Sequence, residues 1–132
     1  METEGSTVRE NSTLAVAPIA PLALWDANAL HRQVGNNDAF ERRLLAKFLQ
    51  KGKTQVADLV AAATAWRPAN VAEIAHSLKA SARSVGAMQL GESCQRTEQA
   101  GFAGHAADLE SLVSIIEADF VCVAQVIEQR LA

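Results

Sequence analysis

Apolar side chains recur three and four residues apart along four successive stretches of this chain, and no stretch alternates apolar with polar residues. A spacing of that kind is helical, whereas a half-buried strand would repeat every two residues. Over 37–65 the stripe runs through Phe40, Leu44, Leu45, Phe48 and Leu49, then past Gly52 through Val56, Leu59, Val60 and Ala63. It predicts one long helix, bent near Gly52. Val71, Ile74, Ala75, Leu78, Ala82 and Val85 mark a second helix, ending at Gly86. Ala87, Leu90, Cys94 and Thr97 mark a third, over 87–100, closed by Gly101. Leu109, Leu112, Val113, Ile116, Phe120, Val123, Ile127 and Leu131 line the last, over 104–131. A short helix over 26–33, capped by Asp26 and stopped at Gly35, precedes them. Four amphipathic helices joined by short turns must lie antiparallel, so the expected fold is all-α: an up-down antiparallel four-helix bundle with a short extra N-terminal helix.

The boundaries have local causes. Asn36, Asn37 and Asp38 offer a cap for the long helix. Trp66-Arg67-Pro68 breaks it, because proline disfavours helical geometry in the residue before it. The next helix could start with Pro68 at its first position or with an Asn70–Glu73 capping box. Only three prolines and seven glycines interrupt 132 residues, and 49% of the chain is hydrophobic with 5% aromatic, so the core must be aliphatic. Residues 24–132 account for that bundle. Residues 1–23, rich in Ser, Thr, Ala and Pro without a period, read as a flexible tail or linker of the kind that joins a domain to a longer protein. Cys94 and Cys122 both fall in apolar helical patterns and read as small buried hydrophobes of a reducing compartment.

Several functions are disfavoured by what is absent. The net charge of −3 without a basic run gives no electrostatic footprint for nucleic acid. No stretch of about 18 apolar residues is present, and no secretory signal opens the chain, so a cytoplasmic protein without membrane contact is expected. No Gly-rich nucleotide loop appears, so no autonomous ATP-dependent kinase activity is expected. His31, His76, His105, Cys94 and Cys122 show no metal-ligand spacing, so no metal or cofactor of its own is expected.

One histidine stands apart. On a helix, His76 lies about 150° from the centre of the seam formed by Val71–Val85. Around it fall Ala69, Ala72, Glu73, Ala80, Arg83 and Ala87, four of them alanine. Outer helix faces usually carry long charged side chains. Here small neighbours would let another protein come close to the imidazole. Lys79 lies one turn on, where side chains can meet. A neutral imidazole is a nucleophile at cellular pH, and a nearby ammonium could stabilise a phosphoryl group placed on it. His31 and His105 have no such setting.

The run His76-Ser77-Leu78-Lys79-Ala80-Ser81-Ala82-Arg83-Ser84-Val85-Gly86-Ala87 resembles the signature of histidine-containing phosphotransfer (HPt) domains, H-x-L-K-G-S-S-x-x-x-G-A. Leu90, Cys94 and Glu98 continue as L-x-x-x-C-x-x-x-E, and residues 37–50 are similar to the family's second helix, with Phe48-Leu49 as its F-L pair. Ala80 stands where the family usually has glycine. The resemblance spans roughly 25–131. It implies that His76 accepts a phosphoryl group on Nε2 from a receiver-domain aspartate and passes it to the receiver of a response regulator. It implies Lys79 as phosphoryl stabiliser, and Gly86 as the tight passage between helices. It implies Ala72, Glu73, Ala80, Arg83, Gly86 and Ala87 as part of the docking face for receiver domains, completed by Arg43 and Lys47 of the long helix. The Mg²⁺ would belong to the partner receiver. The expected protein is a monomeric, bacterial phosphorelay intermediate, as at the end of a hybrid sensor histidine kinase. The rival reading is a helical-bundle interaction module that docks receivers or other proteins without carrying phosphate.

Overall fold

A computed structural model describes residues 22–132, with five helices in the order α1 (Ala29–Val34), α2 (Asp38–Thr64), α3 (Pro68–Val85), α4 (Met88–Phe102) and α5 (Ala106–Leu131). No strand occurs among the described residues. In the bundle α2 packs on α3, α3 on α4, α4 on α5 and α5 back on α2, with little contact across the α3–α5 diagonal. Four long helices joined by short turns and packed in that cyclic order form an up-down antiparallel bundle. The apolar stripes meet inside it. Leu59, Leu78, Leu90, Leu109, Ile116 and Ile127 are fully buried. Phe48 and Phe120 form the buried aromatic pair of the core, with ring centroids 5.9 Å apart, and half-buried Trp25 packs against that core.

Asn37 caps α2 by accepting the Phe40 N–H, as the Asn-Asn-Asp run predicts. Of the two possible starts for α3, proline prevails: Pro68 occupies the first turn, and no side chain caps the helix. A first-turn proline loses nothing there, since that turn's N–H groups have no intrahelical partner. The short helix begins at Ala29 rather than at residue 26. Asp26 instead accepts the Asn28 N–H and pairs with Arg32 at 2.6 Å, bracing the turn before α1. Gly101 does not end α4. It lies inside the helix because α3 leaves no room for a side chain there: an added Cβ would meet the Pro68 carbonyl oxygen at 2.7 Å and Ala72 at 2.9 Å. Gly52 likewise faces the Phe120 ring across the α2–α5 contact.

Gly86 closes α3 in the left-handed region at φ 95°, and its N–H returns to the last turn. Its α-carbon also packs against the Asp26 carbonyl and Ala29, while its own carbonyl accepts the Asp26 N–H. Trp25 adds an indole bond to the Val85 carbonyl at 2.9 Å. The segment before α1 is thereby clamped onto the end of α3. The expected tail, 1–23, falls mostly outside the described residues. Its last two residues are held: Leu22 and Ala23 offer their carbonyls to Gln89 at the start of α4. Both cysteines are free, but Cys122 is exposed and only Cys94 is buried. The breadth of the α5 stripe misleads here, because an end member of a wide stripe can face water.

Candidate functional site

α3 presents His76 midway along its length with the side chain 65% exposed. Val71, Ala75, Leu78 and Ala82 are fully buried on the opposite side, so the helical-wheel placement of His76 holds. The surroundings differ from the wheel on one flank. Ala72 is fully buried, because α4 comes close enough there for Gly101 to touch it. Ala87 is fully buried as well, since α3 has ended and the chain has turned into α4. Gly86 is buried under the Asp26 carbonyl. Ala72, Gly86 and Ala87 therefore cannot belong to a docking face. Glu73, Ala80 and Arg83 are exposed and can. Arg43 and Lys47 are exposed on α2.

The flank toward α4 carries the polar chemistry. His76 Nδ1 lies 2.7 Å from Glu98 Oε2. Lys79 Nζ donates to Glu98 Oε1 at 2.6 Å and to Gln95 Oε1 at 2.8 Å. One carboxylate thus serves both predicted residues, each through its own oxygen. Glu98 is nearly buried, with 11% of its side chain exposed. The Lys79 hydrogen bond holds its carboxyl below the usual carboxylate range; desolvation opposes this, and the His76 hydrogen bond adds to the lowering. An ionised carboxylate can only accept, so the proton between it and the ring sits on Nδ1. The neutral ring then keeps its lone pair on Nε2. Nε2 makes no hydrogen bond among the described residues.

Lys79 is not the free surface cation its position in the sequence suggests. Only 16% of its side chain is exposed, and two of its three protons are committed to α4. Arg83 lies farther along the same groove, its stem over Gly91, where an added Cβ would meet Arg83 Cγ at 2.9 Å. Sequence reasoning missed Gln95, and it met Glu98 only as part of a motif. Neither is close to His76 in sequence, so helical spacing cannot join them. On the other flank Gln55 of α2 donates to Ser77 Oγ at 3.0 Å. No group of three His, Cys, Asp or Glu side chains gathers as a metal cluster among the described residues. No helix among them is long and apolar enough to cross a membrane.

A four-helix bundle that offers a single ring nitrogen from the middle of an exposed face, with its tautomer set by a buried carboxylate, has the form of a histidine phosphotransfer domain. Residues 43–131 match the family model of the Hpt domain, and the chain belongs to that family. The family's members are carriers of phosphoryl groups in phosphorelays rather than kinases. Among solved structures the chain resembles histidine-containing phosphotransfer protein B (HptB) from Pseudomonas aeruginosa PAO1 at 22% identity. That likeness has a TM-score of 0.77 and covers 82% of this chain and 94% of the other, which shows a shared fold. A comparison with curated protein sequences finds no match.

Proposed function

We propose that this protein relays phosphoryl groups through Nε2 of His76, accepting from the phospho-aspartate of one receiver domain and donating to the aspartate of another. The observation that carries the reading is the Glu98–His76 contact, which leaves Nε2 as the nucleophilic atom of an exposed ring. In the forward step the Nε2 lone pair attacks phosphorus. The N–P bond forms as the acyl phosphate P–O bond breaks, and the aspartate leaves as a carboxylate. Positive charge appears on the imidazole, and Glu98 neutralises it through Nδ1–H. Such transfer depends mainly on alignment and charge compensation.

Lys79 keeps Glu98 ionised and oriented, and its third proton remains for a phosphoryl oxygen. Glu73, Ala80 and Arg83 form the near part of the receiver face, with Arg43 and Lys47 contributing from α2. The partner supplies Mg²⁺ and the aspartate; this chain supplies aim. It acts as a cytoplasmic monomer without ATP chemistry of its own. The rival, a docking module without phosphate, gives no reason for the Glu98 carboxylate to hold Nδ1 of an exposed histidine.

His76→Gln is expected to abolish acid-labile phosphorylation by a phosphorylated receiver while leaving the helical circular dichroism unchanged. Undiminished phosphate uptake by the variant would remove His76 from the role.

A further inference from the structure

We propose that Phe102 is the apolar anchor on which the receiver domain docks to reach His76, an inference that rests on the relay reading above. Six aromatic side chains occur in the chain, four Phe and two Trp. Phe48 and Phe120 fill the core, and Trp25 bonds to the end of α3. Phe40 carries the Arg43 guanidinium, 5.6 Å from its ring centroid. Phe102 and Trp66 have no such employment: they are 70% and 62% exposed. An aromatic ring left in water at a helix end contributes little to a core, and alanine would make the better helix.

The position of Phe102 is what gives it meaning. Gly91, Gln95, Glu98 and Phe102 follow one another at four-, three- and four-residue steps along a single face of α4. The first three border the His76 side of α3: Gly91 lies under Arg83, Gln95 holds Lys79, and Glu98 holds Lys79 and His76. Phe102 is the next residue of that row, about 6 Å along the axis beyond Glu98. The neighbouring Gly101 touches the Pro68 carbonyl, so the two chain turns carrying Trp66 and Phe102 lie side by side at this end of the bundle.

A macromolecular partner covers about 800 Å² of a surface, a disc of roughly 16 Å radius. A footprint of that size centred on Nε2 is wide enough to reach along the α4 row from Glu98 to Phe102. Interface energy concentrates in aromatic side chains surrounded by weaker contacts. The row is apolar at one end, carries the imidazole contact in the middle and is flanked by the Arg83 cation at the other. That order suits a partner presenting an anionic acyl phosphate beside an apolar patch.

The test separates charging from docking. Phosphoramidate is a small donor that needs no protein surface, and it is expected to phosphorylate wild type and Phe102→Ala equally. Each charged protein is then discharged by the host receiver domain that discharges the wild type fastest. Phe102→Ala is expected to slow this step about tenfold at low receiver concentration, with recovery as receiver approaches saturation, and Phe102→Leu is expected to restore most of the rate. Discharge of Phe102→Ala at the wild-type rate would overturn the anchor and leave the relay standing. Loss of concentration-dependent dimers in Phe102→Ala, with unchanged discharge, would assign the ring to self-association and also overturn it. Failure of the wild type to charge, or to be discharged by any host receiver, would sink the relay and the anchor together.

Discussion

Glu98 holds two partners with one carboxylate, and its ionisation links the site to the stability of the fold. Lys79 is the chief reason its carboxyl lies below the ordinary range. In the unfolded chain a glutamate titrates at about pH 4.3. The folded pKa is lower, so the carboxylate's contribution is fully present above that unfolded value and is lost as pH falls through the folded one. The urea midpoint of the wild type is therefore expected to drop more steeply below about pH 4.3 than that of Glu98→Gln. Parallel acid limbs for the two proteins would show that the carboxylate is not coupled to folding. At the same scale Ala80 takes the place of the family's usual glycine beside His76. It is exposed, and a methyl group is the smallest side chain that could stand there.

The turns between helices show how one backbone conformation takes opposite signs at two positions. Trp66 and Gly86 both have positive φ, at 56° and 95°. At Gly86 the glycine is required twice, by φ and by the Asp26 carbonyl packed where a Cβ would be. Gly86→Ala is expected to destabilise the fold by about 2 kcal/mol or more. At Trp66 the side chain is mostly in water and the conformation suits glycine, so Trp66→Gly is expected to stabilise by about 0.5–1 kcal/mol. Thermal melts of the two variants should move in opposite directions; a melting temperature lowered by Trp66→Gly would show that its indole packs more than it strains. The α3–α4 pair is close for a related reason. Gly91 and Gly101 face Arg83 and Ala72, and that proximity lets Gln95 and Glu98 reach Lys79 and His76.

At the scale of the whole molecule the bundle separates its two cysteines. Burial, reinforced by the nearby Asp119 carboxylate, pushes the Cys94 thiol up to about 12. Cys122 is exposed. A thiolate is the reactive form, so a thiol reagent at neutral pH is expected to modify Cys122 quickly. Cys94 should react only as fast as the bundle opens. Two equally fast thiols in the native protein would contradict this packing. The clamp of residues 22–26 on the ends of α3 and α4 belongs to the same scale: Ala23, Asp26 and Trp25 reach Gln89, Gly86 and Val85 across some sixty residues of chain.

The helices, their order and the seam of α3 could be read from the chain, because each depends on spacings within a few residues: apolar repeats, Asn37 as a cap, Pro68 and Gly86 as stops. The exposure of His76 followed from the same local geometry. The partners of His76 and Lys79 could not be read that way. Glu98 and Gln95 belong to another helix, and only the α3–α4 approach brings them near. That approach also buried Ala72, which a wheel drawn for one isolated helix leaves in water. Periodicity records which side of a helix is apolar; how widely a neighbour covers it depends on interhelical distance, and distant glycines set that distance here.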